Sequence, residues 1–346
     1  MSEARLFAVA PFVSDAAEAA VLAPRSPAEA SRPVAGVSHL ARLLIAAERD
    51  GARHALVLVA DSPALRHRVE QELARARCTI EVDWSSPEAV GALPGQAKGL
   101  GDPRALARQV LLATGKPTDG LVSRWLNRPV SRWISARVLL IPGVRPWHLT
   151  LVTAAIAFLM FALLCFGGRN GVVLGALLFH LASVVDGVDG EIARAAYRSS
   201  RRGALLDTSV DMATNLLFTL GVTLGLIRLH GPLYALVGGL AVSIYLAGVL
   251  LLAALVRMSG QGPTFDLLKL IYSQRFPSGW RAHVVAAVRT ATSRDFFAFL
   301  FALLALAGAA AAIPWLVLGA AGLWLLIIIA TASTVIGDAV AAANRP

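Results

Sequence analysis

The sequence predicts an α-helical polytopic membrane protein with six transmembrane helices and a small N-terminal α/β cytoplasmic domain. Three observations predict it. The 346 residues are 56% hydrophobic and only 16% charged, with a mean hydropathy of +0.64, whereas a soluble domain is near half apolar and a quarter charged. Apolar runs long enough to cross a bilayer recur after Pro146, and the polar residues are concentrated before it. The chain therefore divides into residues 1–115, an amphipathic juxtamembrane segment 116–145, and a membrane domain 146–346.

In the first region, Ala55-Leu-Val-Leu-Val-Ala60 reads as a buried parallel strand. A helix is predicted over Ser38–Arg49 before it and another over Pro63–Arg77 after it, the alternation of a small α/β unit. No basic stretch followed by a long apolar run opens the chain, so no cleaved signal peptide is expected. Cys78 and Cys165 are the only cysteines, which excludes a disulfide framework or a cysteine metal site and fits a reducing compartment. In the juxtamembrane segment Leu121, Trp125 and Trp133 are interleaved with Arg124, Arg128, Arg132 and Arg137, a pattern for a helix lying at headgroup level.

Crossing about 30 Å of hydrocarbon takes roughly 20 mostly apolar residues. Six stretches qualify: 149–167, 170–187, 205–228, 232–256, 296–312 and 314–334. Arg194, Arg198, Arg201 and Arg202 follow the second, and Arg257, Lys269, Arg275, Arg281, Arg289 and Arg294 follow the fourth; the other side offers only Arg169 and Arg228. The positive-inside rule puts both Arg-rich stretches and both termini in the cytoplasm of a multi-pass inner-membrane protein. With its arginines at span ends, the net charge of +10 points to lipid headgroups and phosphorylated substrates and excludes a nucleic-acid face.

The chemistry is carried by Val185-Asp-Gly-Val-Asp-Gly-Glu-Ile-Ala-Arg194, eight residues, then Gly203-Ala-Leu-Leu-Asp207-Thr-Ser-Val-Asp211. At about 100° per residue, Asp186 and Asp189 lie about 60° apart on one helix, and Gly203, Asp207 and Asp211 step by about 40° along the next. Four carboxylates at a bilayer edge repel one another unless a cation or water compensates them. All-oxygen ligands select a hard ion, Mg²⁺ or Mn²⁺, and two such ions form a phosphoryl-transfer device. Gly187, Gly190, Ala193 and Gly203 keep both helices slim for close approach, and Arg194 can pair with diphosphate oxygens.

These residues resemble the CDP-alcohol phosphotransferase family, whose signature D-x-x-D-G-x-x-A-R, eight residues, G-x-x-x-D-x-x-x-D is met at every defining position. The resemblance implies that Asp186, Asp189, Asp207 and Asp211 hold two Mg²⁺ ions, with Mn²⁺ a possible substitute, and that Asp211 is the catalytic base. It also implies that Gly190, Arg194, Ser200 and Gly203 contact a CDP-linked donor. Pro146-Trp-His-Leu-Thr150 matches the family's Pro-Asn-x-aliphatic-Thr lead-in at Pro146 and Thr150, so Thr150 is expected at the donor, while Trp147 departs from it. Arg257, Arg275 and Arg294 are candidates for an acceptor-phosphate pocket, with positive-inside topology the plainer account. His180 is expected to be a hydrogen-bonded core histidine.

The N-terminal region resembles a worn sugar-nucleotidyltransferase start in which Pro24 and Pro27 replace the loop glycines, which speaks against an active site there. Together with Lys116-Pro-Thr-Asp-Gly-Leu-Val-Ser-Arg-Trp-Leu-Asn-Arg128, this layout is similar to di-myo-inositol-phosphate phosphate synthase-like members. The resemblance implies transfer of a phosphatidyl or phospho-inositol group from the CDP-alcohol to an acceptor alcohol, and a homodimer in the membrane. Two other readings are weaker. A membrane ion-binding or transport protein predicts carboxylates scattered near midplane, and a catalytically silent scaffold predicts missing metal positions.

Overall fold

The computed structural model describes residues 19–86, 100–116, 119–141, 143–259 and 293–343. They fall into two compact units: residues up to Thr114 with Ser135–Val144 and Ile192–Arg198, and Gly115–Ile134 with Arg145–Glu191 and the residues from Ser199 onward.

The first unit is a small α/β layer. Strands β1 (Ala19–Leu22), β4 (His54–Leu58) and β5 (Glu81–Ser85) form a parallel sheet in the order β1-β4-β5, beside a two-residue antiparallel pair, β2 (Pro33–Val34) and β3 (Val37–Ser38). Helices α1 (Pro27–Ser31), α2 (His39–Arg49), α3 (Pro63–Ala76) and α4 (Pro103–Leu112) complete it. Both expected helices and the expected strand are present within a residue or two. Each helix starts at a residue whose side chain caps a free amide: Ser38 accepts from Ala41 N, Ser62 from Leu65 N, and Asp102 from Arg104 N and Ala105 N. Leu40, Leu44, Ala55, Val57, Val69 and Leu73 form the core between sheet and helices. Buried Glu72 ties α3 to β3 by accepting from Ser38 N at 2.9 Å and from its hydroxyl, and it pairs with Arg68 at 3.2 Å.

The second unit is helical. A helix, α5, opens with a π-turn, Ser123–Asn127, and runs on as α-helix over Arg128–Val138, its last residues belonging to the first unit. It is followed by α6 (Pro146–Phe166), α7 (Gly168–Ala195), α8 (Arg201–His230), α9 (Leu233–Ser259), α10 (Arg294–Leu306) and α11 (Ile313–Ala343), the last preceded by a 3₁₀ turn over Ala310–Ala312. Among the described residues five helices, α6 to α9 and α11, are long and apolar enough to cross a membrane; α10, over the fifth expected span, has 13 described residues. Phe179, Phe218 and Phe301 stack across α7, α8 and α10, with ring centroids 4.1 Å and 5.4 Å apart along the series. Glycines set the helix spacing: a Cβ on Gly225 of α8 would lie 2.3 Å from the Leu164 carbonyl of α6, so only glycine lets these backbones meet.

Candidate active site

The last turns of α7 and the first of α8 carry the acidic residues. The two helices are joined by a short turn with Tyr197 at φ 53°. α8 begins at Arg201 because Ser200 has extended backbone angles and its hydroxyl accepts from Gly203 N at 3.0 Å. Asp207 and Asp211 therefore lie about one and two turns beyond Gly203, at the same end of the bundle as Asp186 and Asp189.

One carboxylate oxygen from each of Asp186, Asp207 and Asp211 lies within 4.8 Å of the others. The Oδ1 atoms of these three aspartates are shielded from solvent and have no hydrogen-bond partner among the described residues. What compensates them is charge. Arg294, the first residue of α10, pairs with Asp211 and approaches Asp186 at 3.6 Å. Three converging carboxylates compensated among the described residues by a single guanidinium offer the all-oxygen donor chemistry that a hard divalent ion takes, so the residues present fit an ion such as Mg²⁺ or Mn²⁺.

Asp189 is buried, and the Thr150 hydroxyl of α6 donates to its Oδ2 at 2.6 Å. This bond orients the carboxylate, as outer hydrogen bonds do for metal ligands. The lead-in of α6 is ordered locally: Pro146 occupies the first helical turn, and Arg145 N donates to His148 Nδ1 at 3.2 Å. Trp147 is partly exposed and meets the His148 ring edge-on at 3.9 Å.

The other expected residues are placed as follows. Gly190 and Arg194 continue α7, and Arg194 Nε donates to the Thr114 carbonyl at 2.9 Å. Arg257 is exposed near the end of α9, Arg294 lies on the carboxylates, and Arg275 lies outside the described residues, so the three arginines are not brought into one pocket by what is described. The His180 ring lies 5.6 Å from that of Phe299, and its Nδ1 has no hydrogen-bond partner among the described residues.

Sequence reasoning missed a second polar cluster. Arg128 of α5 holds Asp119 through two bonds of 2.8 and 2.9 Å and reaches Glu191 of α7 at 3.0 Å. Ser131 Oγ also donates to Glu191, at 2.7 Å. Glu191 occupies an unspecified position of the acidic motif, so its sequence signal was only that an acid sits deep in an otherwise slim helix. Outside the spans, burial alone would raise the Asp119 pKa, but the Arg128 guanidinium holds this carboxyl below the usual range.

A family model for CDP-alcohol phosphatidyltransferase matches residues 144–336. Proteins named bifunctional IPC transferase and DIPP synthase are similar to part of the chain. The one from Archaeoglobus fulgidus is 35% identical over 115 residues, 33% of this chain and 22% of the relative. That from Thermococcus kodakarensis is 38% identical over 108 residues, 31% of this chain and 23% of the relative. That from Rubrobacter xylanophilus is 38% identical over 124 residues, 36% of this chain and 28% of the relative. The chain thus aligns with less than a third of the length of these curated relatives.

Proposed function

Because the chain belongs to the CDP-alcohol phosphatidyltransferase family, we propose that it transfers a phospho-alcohol group from a CDP-alcohol to a second alcohol and releases CMP. The observation that carries the reading is the convergence of Asp186, Asp207 and Asp211 within 4.8 Å at one end of the helical unit, inside a motif complete at every position. Asp186, Asp189, Asp207 and Asp211 hold two divalent ions, which when bound polarise the donor diphosphate and stabilise the leaving phosphate.

The protein's own groups then have distinct tasks. Thr150 orients Asp189; Gly190 and Gly203 leave room for the nucleotide; Arg194 and Ser200 hold its phosphates. Asp211 accepts the proton of the acceptor hydroxyl, whose oxygen attacks the phosphorus carrying the donor alcohol. A new P–O bond forms at that phosphorus, its bond to the bridging diphosphate oxygen breaks, and CMP leaves with that oxygen and the electron pair. Arg294, with Arg257 and Arg275, neutralises a phosphorylated or lipid acceptor.

The donor is CDP-inositol or CDP-diacylglycerol, and the acceptor is an inositol phosphate or another alcohol. The site and both termini face the cytoplasm on the positive-inside argument. The protein works as a homodimer. The N-terminal unit is a worn nucleotidyltransferase scaffold: in the loop after β1, Ser26 accepts from Glu29 N at 3.2 Å and Arg25 N donates to Glu29 Oε2 at 2.6 Å, so amides that would meet a phosphate are bound internally.

The test is CMP release by the purified protein in detergent, with Mg²⁺, each CDP-alcohol in turn and a panel of acceptors. Release that stops with a chelator and in Asp207→Asn is expected. If no donor and acceptor pair releases CMP, or if Asp207→Asn still does so at the wild-type rate, the reading is wrong.

A further inference from the structure

The Asp119, Arg128 and Glu191 cluster lies on the back of the helix that carries Asp186 and Asp189. Glu191 is rotated about 140° from Asp186 and about 160° from Asp189 around the axis of α7. It is fully buried, at 0% exposure, and Arg128 Nη1 and Ser131 Oγ both reach its Oε1, at 3.0 and 2.7 Å. A Cβ on Gly187, one turn earlier on the same face, would lie 3.5 Å from Arg128 Nη1 and 3.6 Å from Ser131, so this part of α5 rests against the α7 backbone. Arg128 is itself fixed from behind. Its Nε and Nη2 grip both oxygens of Asp119, and Lys116 N donates to Asp119 Oδ2 at 3.0 Å.

A second thread runs from α5 to the same centre. Asn127 Nδ2 meets Ser183 Oγ of α7 at 3.5 Å, and Ser183 donates to Asp295 of α10. Asp295 follows Arg294, which stands on Asp211 and Asp186. The π-turn of α5 packs on α10 as well.

We propose that Asp119, Arg128, Ser131 and Glu191 are positioning residues that fix the rotation of α7 about its axis and so set Asp186 and Asp189 for metal binding. The inference rests on the reading of those aspartates as metal ligands. A side-chain oxygen stands about 5–6 Å from the helix axis, so a turn of only about 5° moves it by about 0.5 Å. Mg²⁺ requires ligands at about 2.0–2.1 Å in near-ideal octahedral geometry, and an error of that size breaks it. A planar guanidinium forked on one carboxylate and bonded to another resists such a turn in a way that apolar contact does not.

The experiment is Mn²⁺ binding to the purified full-length protein, followed by electron paramagnetic resonance, beside thermal unfolding and the Mg²⁺ dependence of CMP release. The charge-neutral pair Arg128→Met with Glu191→Leu removes the latch from α7 without changing the net charge near the metals, and leaves Asp119, whose side chain is 12% exposed, without its guanidinium partner. Its expected result is unfolding close to wild type with Mn²⁺ bound about 10- to 100-fold more weakly, the usual effect of losing outer support for metal ligands. Ser131→Ala, a milder change at the same carboxylate, loses affinity toward the lower end of that range. A folded double variant that binds Mn²⁺ as tightly as wild type overturns the proposal. If the double variant does not fold, Ser131→Ala decides it: weaker Mn²⁺ binding supports the latch and unchanged binding overturns it. A wild-type protein that neither binds Mn²⁺ nor releases CMP overturns instead the reading of the site.

Discussion

Arg294 and the carboxylates it touches show how far single residues were legible. The four aspartates stand at fixed spacing in one motif, from which helix geometry predicts Asp186 and Asp189 on one face and Asp207 and Asp211 on the next; the structure groups Asp186, Asp207 and Asp211 and sets Asp189 against Thr150. Arg294 lies 83 residues beyond Asp211 in sequence, where local periodicity says nothing about distance, and it was expected only as one of three pocket arginines. The same holds for Arg128 and Glu191, which are 63 residues apart. Arg294 and a metal ion of like charge compete for Asp186 and Asp211. At an effective dielectric of 20, a divalent ion and a unit charge about 4 Å apart repel by about 8 kcal/mol, much of which is relieved when the long side chain swings aside. Arg294→Gln is therefore expected to tighten Mn²⁺ binding, by about tenfold in a titration, and unchanged or weaker binding would show that the guanidinium does not compete. For Asp211, replacing the carboxylate by an amide removes proton acceptance while keeping size and shape. Asp211→Asn should lower the rate of CMP release by about 10²–10⁴-fold, and a variant within a few-fold of wild type would take the base from this residue.

At the scale of elements, the long helices were readable from composition because about 20 apolar residues suffice to define a span. α6 to α9 and α11 cover five of the six expected stretches, and the described helix over the sixth, α10, measures about 20 Å at 1.5 Å per residue. α5 was read as alternating tryptophan and arginine at headgroup level, and its structure sorts that alternation by face. Leu121, Trp125, Val130 and Trp133 are exposed, whereas Ser123, Asn127, Arg128 and Ser131 are buried. An inward polar face needs partners on other helices, and partners are what a one-dimensional pattern lacks. β5 escaped notice for a related reason. Glu81-Val-Asp-Trp-Ser85 is a short edge strand, and edge strands mix polar and apolar residues. Helix spacing supplies a further prediction. Because the nearest atom to a Cβ on Gly225 is the Leu164 carbonyl oxygen at 2.3 Å, no rotamer change relieves the clash and α6 must move from α8. Gly225→Ala is expected to destabilise the helical unit by about 1–3 kcal/mol, the usual range for overpacking, measured as a lower unfolding temperature in detergent. Gly239, which has no neighbour within 4 Å of an added Cβ, is the matched control and should tolerate alanine.

For the whole molecule, composition separates a membrane part from a polar part, and the polar part holds a buried titratable group. The α/β unit contains His39, 1% exposed at the first turn of α2, near the Leu100 backbone. Burial pushes its pKa below the ordinary 6.5 and Arg32 adds to this, while the Leu100 backbone, Glu29 and Asp102 oppose it. The sign follows from proton counting. Below pH 6.5 the unfolded chain protonates this histidine while the folded unit still resists, so the unfolded state binds more protons and stability falls as the pH falls. The contribution is therefore complete above 6.5 and declines as pH drops toward the folded value, by at most about 1.4 kcal/mol per pH unit for one group. Hydrogen exchange followed peptide by peptide between pH 7.5 and 5.5, corrected for intrinsic rates, should show protection falling in α2 and β4 of the wild-type protein. In His39→Leu, which fills a similar volume with nothing to protonate, that fall should be absent. If both proteins lose protection equally, acid acts on the unit through other groups and the buried imidazole is not the source.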